Sequence, residues 1–122
     1  AQQNAALNRI GNCSFVWGDL RDLLENTAET IARHGRPDVL IIDPPRGGMH
    51  PKTVAAVSRL APERIVHVSC NPATLARDLK VLCAGPYRLM KIQPVDMFPH
   101  TAHIEVVVLL QRNPSSLQDA KV

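Results

Sequence analysis

The sequence is poor in aromatic residues, with one Trp, one Tyr and two Phe among 122 positions. Aliphatic side chains must therefore make most of any core. Cysteine is also scarce: Cys13, Cys70 and Cys83 are an odd number without paired spacing, which argues against a disulfide framework. With no Cys-x-x-Cys pair, a thiolate zinc site is not expected. Free thiols point to a reducing compartment, the cytoplasm. There is no recognisable signal peptide and no apolar run long enough to cross a bilayer, so no membrane role is expected. Internal repeats and low-complexity tracts are absent. What remains is an ordinary globular composition, 45% hydrophobic and 20% charged, long enough for one modest domain. The net charge of +3 and pI near 9.0 permit an RNA partner without requiring one, and suit an evenly charged surface equally well.

Along the chain, strands and helices alternate. Residues 1–10 read as a helix entered in its middle, with no capping residue leading in, closed by Gly11-Asn12. Residues 13–17 read as a short strand ending at Gly18-Asp19. A helix is expected over 20–34, with Leu23, Leu24, Thr27, Ala28 and Ile31 on its buried face. The four consecutive aliphatics of Val39-Leu40-Ile41-Ile42 suit a parallel strand buried on both faces, and Pro44-Pro45-Arg46-Gly47-Gly48 must be a loop. Then follow a helix from Pro51 to Leu60, a strand over 64–69, a helix from Pro72 to about Gly85, a strand over 87–93, a loop over 94–103 and a last strand over 104–111. Residues 113–122 read as a polar tail that frays. This alternation predicts a three-layer α/β/α arrangement with a mostly parallel sheet, and the last two strands, joined without a helix, make one of them antiparallel. In such sheets sites form at the carboxyl ends of the strands, where Asp19, Asp43 and Cys70 are expected.

Three stretches could carry chemistry. Cys70 follows a strand and precedes a helix, where backbone N–H groups favour an anion and so a thiolate. A small buried core thiol is the alternative, and it is the reading kept for Cys13 and Cys83. Asp43, held by two prolines, can accept hydrogen bonds from a ligand N–H, or simply cap a turn. Asp43-Pro44-Pro45-Arg46 is similar to the Asp-Pro-Pro-Tyr loop of enzymes that methylate exocyclic amines of bases, but Arg46 stands where their stacking aromatic would be. Glu105, at the start of the last strand, could serve as a general base near a nucleophilic cysteine, or face water. His100, His103 and Glu105 have no further ligand cluster around them, and no metal is assigned. A phosphatase cradle needs Cys-x5-Arg. Six residues separate Cys70 from Arg77 here, and Pro72 removes one N–H donor from the loop.

Asp43-Pro44-Pro45-Arg46-Gly47-Gly48, Val68-Ser69-Cys70-Asn71-Pro72-Ala73-Thr74-Leu75-Ala76-Arg77-Asp78 and Asp96-Met97-Phe98-Pro99-His100-Thr101 through Glu105 occur in this order. Together they closely resemble the RNA 5-methyluridine methyltransferases, a family that depends on S-adenosylmethionine and modifies ribosomal and transfer RNA. The resemblance runs from about Asn4 to Arg112. It implies a Rossmann-like methyltransferase fold, a covalent mechanism with Cys70 as nucleophile and Glu105 as proton-abstracting base, and an RNA partner, rRNA or tRNA, with no protein partner. By position, Asp43 matches the aspartate holding the target base near the cofactor. Asp19 matches a residue near the adenine end of the cofactor, and Asn71 and Pro72 shape the nucleophile turn beside the substrate. His100 and Thr101 would order the loop bearing Glu105.

The departures are as informative. The family's Gly-rich cofactor loop has no G-x-G-x-x-G-like counterpart here, and the acidic residue after its second strand is missing. Residues 1–112 are therefore expected to be the C-terminal part of an incomplete methyltransferase domain, weak in cofactor binding and inactive alone. The rival expectation is a non-catalytic remnant of the fold that binds RNA or scaffolds a partner.

Overall fold

The computed structural model describes residues 1–114. The expected frayed tail over 113–122 lies mostly outside them. Among the described residues, five helices and four strands follow in the order α1 (Gln2–Leu7), α2 (Leu20–Leu23), α3 (Thr27–His34), β1 (Val39–Ile42), α4 (Pro51–Leu60), β2 (Arg64–Ser69), α5 (Pro72–Ala84), β3 (Tyr87–Val95) and β4 (Glu105–Arg112). The strands form one sheet in the order β1-β2-β4-β3. β1 and β2 are parallel, as a helical crossover between them requires, and β4 runs antiparallel to both β2 and β3. The antiparallel strand is thus the last one, inserted beside the strand that leads to Cys70.

Alternation along β2 and β4 separates two faces. Ile65, His67 and Ser69 of β2 lie opposite Val106, Val108 and Leu110 of β4, and all six are buried. Against this face pack Val54 and Val57 of α4 and Leu75 and Leu82 of α5, joined by Ile42, Met49 and Tyr87. Removing each such side chain from water contributes about 1.5–3 kcal/mol. On the other face, Val66, Val68, Val107 and Leu109 are half-buried, while Ile41 is 71% exposed.

The C-terminus of α4 is closed by side chains from distant segments. Ala61 adopts the left-handed conformation, with φ 49°, and Pro62 prevents the helix from continuing. Arg36 Nη1 donates to Leu60 O and Arg112 Nη1 to Ala61 O, both at 2.7 Å. The hydroxyl of Tyr87 donates to Pro62 O at 2.9 Å. Burial pushes the Tyr87 phenol up to about 12, opposed by the nearby charges of Arg112 and Arg36. A raised folded-state value means that stability is full below the phenol's ordinary value near 10 and falls as pH rises from there toward about 12. Tyr87→Phe is expected to lose about 1 kcal/mol at pH 7 by deleting the hydrogen bond. It should also escape the alkaline loss, so that denaturant midpoints of the two proteins converge at pH 11.

Several expectations are corrected. Residues 13–17 form no strand: no neighbouring strand pairs with them among the described residues, and Trp17 is 99% exposed. Asp19 consequently does not end a strand but N-caps α2, its carboxylate accepting from Arg21 N at 2.8 Å. The expected 20–34 helix is two helices, because the Asn26 side chain accepts from Glu29 N and starts α3 afresh. Of its expected buried face, Leu24 and Thr27 are buried and Ala28 is exposed. α1 stops at Leu7, not at Gly11-Asn12. Arg9 takes the left-handed conformation, and the Ile10 and Arg9 amides close on Ala5 O and Ala6 O. Finally, β1 is an edge strand among the described residues, and only Ile42 of its four aliphatics is buried.

Candidate active site

Cys70 occupies a two-residue turn between β2 and α5. Both sides of the turn are fixed. Ser69 Oγ accepts from Asn71 N and donates to Asn71 O, each at 3.1 Å. Asn71 is the N-cap of α5: its Oδ1 accepts from Ala73 N at 3.1 Å, and Pro72 takes the first helical position, where no N–H is needed. The remaining polar group of Asn71, Nδ2, donates to Arg46 O at 3.2 Å. Cys70 itself is half-buried and unbridged.

The sheet register brings the second residue to the first. Ser69 lies opposite Val106, so one further step places Cys70 level with Glu105 on the adjacent strand. Residues directly opposite in antiparallel strands have Cβ atoms about 4.5–5.5 Å apart. Cys70 and Glu105 are both half-buried. On the far side of β2, Ile42 lies opposite His67, so Asp43 stands level with Val68 at the same end of the sheet. Asp43, Cys70 and Glu105 thus share one edge of three adjacent strands.

The loop before Glu105 is tied to itself. Thr101 Oγ1 donates to Phe98 O at 2.7 Å and accepts from His103 N at 3.2 Å. The rings of Phe98 and His103 meet edge to face, with centroids 6.4 Å apart. His100 turns the chain with φ 66°. Among the described residues no three His, Cys, Asp or Glu side chains converge on a metal position.

A cavity of about 490 Å³ opens beside Asp43. Its lining includes Asp19, Ile41, Asp43, Pro44, Pro45 and His50, but neither Cys70 nor Glu105. The lining carries two carboxylates, Asp19 and Asp43, among apolar Ile41, Pro44 and Pro45. Hydrogen bonds from the Arg21 side chain and backbone hold the Asp19 carboxyl down to about 2, so it is ionised at any working pH. The sequence holds no G-x-G-x-x-G-like loop to adjoin this cavity.

Arg77 does not aim at the Cys70 turn, which leaves no phosphate cradle there. Its guanidinium instead joins Asp78, Gly47 O and Met49 O. Where the 46–49 loop crosses these groups stands Gly48, with φ 77°. A Cβ there would lie 2.5 Å from Arg77 Nη2 and 2.9 Å from Asp78 Oδ2. Gly48→Ala is expected to cost at least about 1–2 kcal/mol from the backbone alone, read from the denaturant midpoint. Charge on α5 did not single out Arg77 and Asp78 in the sequence. Their signal is spacing: Asn71, Thr74, Arg77 and Asp78 share a helical face.

With this geometry in view, the matches to known proteins decide the family. Residues 1–113 match the tRNA (uracil-5-)-methyltransferase family. The chain belongs to this family. An uncharacterized RNA methyltransferase of Porphyromonas gingivalis is 58% identical over 114 residues, which is 93% of this chain and 24% of that protein. One from Bacteroides thetaiotaomicron is 56% identical over 111 residues, 91% of this chain and 24% of its own length. Among solved structures, the tRNA (uracil-54, C5)-methyltransferase of Pyrococcus abyssi, in complex with S-adenosyl-L-homocysteine, superposes with a TM-score of 0.70. It is 37% identical over 89% of this chain and 24% of that one. The chain spans about a quarter of the length of the relatives it matches. Its sheet and helices are part of the S-adenosylmethionine-dependent methyltransferase fold.

Proposed function

We propose that the full-length protein transfers a methyl group from S-adenosylmethionine to carbon 5 of a uridine in RNA, through a covalent bond between Cys70 and carbon 6 of the uracil. The register that sets Cys70 level with Glu105, in a chain of this family, carries the reading. Residues 1–112 would be the C-terminal part of the catalytic domain. A cytoplasmic, reducing compartment suits a free nucleophilic thiol.

Carbon 5 of uracil is a poor nucleophile. Addition of the Cys70 thiolate to carbon 6 forms a carbon–sulfur bond and moves the electron pair of the 5,6 double bond into an enolate, which makes carbon 5 nucleophilic. S-adenosylmethionine, when bound, supplies an electrophilic methyl group on a sulfonium. Asp19 would lie at the adenine end of the donor, and Asp43 would accept from a ligand N–H where donor and uracil meet. Glu105 then takes the proton from carbon 5. The electrons of that C–H bond restore the double bond, and the carbon–sulfur bond breaks to free Cys70. Asn71 and Pro72 fix the turn against which the uracil rests. The base must leave its stack to reach this edge, at a cost of a few kcal/mol.

The test is methyl transfer by the full-length protein from labelled S-adenosylmethionine to transfer and ribosomal RNA, with nucleoside analysis of the product. The expected product is 5-methyluridine. RNA binding without any methylated nucleoside would instead favour the non-catalytic remnant. Residues 1–122 by themselves, without a Gly-rich cofactor loop, are expected to give no product.

A further inference from the structure

The side chains along one face of α5 reach across to a single target, the main chain of the loop that follows Asp43. Asn71 Nδ2 donates to Arg46 O at 3.2 Å, and the Thr74 hydroxyl shares its one proton between Arg46 O at 3.3 Å and Asn71 O at 3.1 Å. One turn on, Arg77 Nη2 divides its two protons among Gly47 O and Met49 O, each at 3.1 Å, and Asp78 Oδ1 at 2.9 Å. The amide of Met49 donates to Asp78 Oδ2 at 2.8 Å. The carbonyls of Arg46, Gly47 and Met49 are covered in this way, besides the Met49 amide.

Asp78 makes this more than a set of surface contacts. Its side chain is 2% exposed, and burying a carboxylate is costly unless its oxygens are fully engaged. Here Oδ1 accepts from both Nε and Nη2 of Arg77, at 3.1 and 2.9 Å, and Oδ2 accepts from the loop. The same Oδ2 lies 3.8 Å from Nε2 of His67, a fully buried ring on β2, three residues before Cys70. Among the described residues that nitrogen has no hydrogen-bond partner, 3.8 Å being too long for one. Gly48 lets the loop lie flat against the Arg77 and Asp78 side chains, as any Cβ would collide with both.

We propose that Arg77 and Asp78 are positioning residues for methyl transfer, clamping the Asp43 loop to the helix that begins at the Cys70 turn. The two halves of the site stand on different strands and different connections. The clamp makes them one body, with Asp43 three residues before the first clamped carbonyl and Cys70 one residue before the first clamping side chain. It acts on alignment and leaves the thiol itself unchanged. Misplacing a reacting group by about 1 Å can cost on the order of 10²-fold in rate.

This inference rests on the proposed methyltransferase activity for its readout. The experiment uses the full-length protein and its Arg77→Ala, Arg77→Lys, Asp78→Asn and Thr74→Val variants. Active sites are titrated by covalent trapping on RNA containing 5-fluorouridine, and kcat is expressed per titrated site. Arg77→Ala and Asp78→Asn are expected to lower that kcat by roughly 10²-fold. Arg77→Lys keeps a charged donor and should recover about tenfold of the loss. Thr74→Val, which removes one hydrogen bond and should fold whatever the others do, is expected to cost about fivefold. Alkylation of Cys70 by iodoacetamide without RNA should proceed at the wild-type rate in every variant. Variants with wild-type kcat per titrated site, their defect confined to melting temperature or to the number of sites, would overturn the clamp alone. So would a Lys variant no better than Ala. Wild-type protein that traps no fluorouridine RNA would overturn the methyltransferase reading, and the clamp's catalytic role with it.

Discussion

Cys70→Ala in the full-length protein is expected to abolish methyl transfer, by at least about 10⁴-fold, the scale on which loss of a covalent nucleophile is felt. The size follows from chemistry. Without a thiolate on carbon 6 there is no enolate, and carbon 5 stays too weak a nucleophile to take a methyl group at a useful rate. The fold should not suffer in proportion. Cys70 is half-buried in a turn whose shape depends on Ser69, Asn71 and Pro72, and its own side chain bridges to no other cysteine. RNA binding by the variant should therefore match wild type in a filter or gel-shift assay while product formation disappears. Cys13→Ala and Cys83→Ala serve as controls. Both are exposed, not the buried core thiols expected: Cys13 lies on the irregular segment before α2, and Cys83 near the end of α5, where partial desolvation pushes its thiol up, further from the reactive thiolate. Neither substitution should change the rate.

Glu105→Gln is expected to produce the second large effect, and a different one. The amide keeps the size of the side chain and loses the ability to take a proton. General-base loss of this kind costs about 10²–10⁴-fold. Thiolate addition and methylation precede proton removal, so the variant should still reach the methylated covalent intermediate and stop there. Ordinary uridine-containing RNA, incubated with S-adenosylmethionine and this variant, should give a protein–RNA species that survives denaturing electrophoresis. Wild type should give little of it. If Glu105 were merely a strand-end carboxylate facing water, the substitution would change neither rate nor adduct.

Much of this site is legible in the sequence, for reasons that can be named. The Cys70 turn is local: a β-branched strand, then Asn and Pro in the N-cap and first helical positions, dictate strand, turn and helix from adjacent residues. The α4 start at Pro51 and the antiparallel last strand follow from similarly short-range signals. What escapes is what depends on partners. Residues 13–17 have strand-like composition but no neighbour to pair with among the described residues, and β-propensity without pairing makes no strand. Val39 and Ile41 look like interior-strand residues and lie on an edge for the same reason. Asn26 reads as one polar residue on a helix, yet its side chain outcompetes the helix for the Glu29 amide. The Arg77–Asp78 clamp joins positions about thirty residues apart, a distance that no periodicity within α5 encodes.

The placement of Cys70 opposite Glu105 has its most direct test in where RNA becomes attached. Full-length protein is trapped on RNA containing 5-fluorouridine in the presence of S-adenosylmethionine. Fluorine at carbon 5 cannot leave as a proton does, so the covalent intermediate persists. The protein is then digested and the modified peptide sequenced by mass spectrometry. The expected result is one fluorinated, methylated uridine on the peptide Val68-Ser69-Cys70-Asn71, bonded through Cys70. Attachment at Cys13, Cys83 or any other residue, or methylation of uridine with no adduct at all, would contradict it.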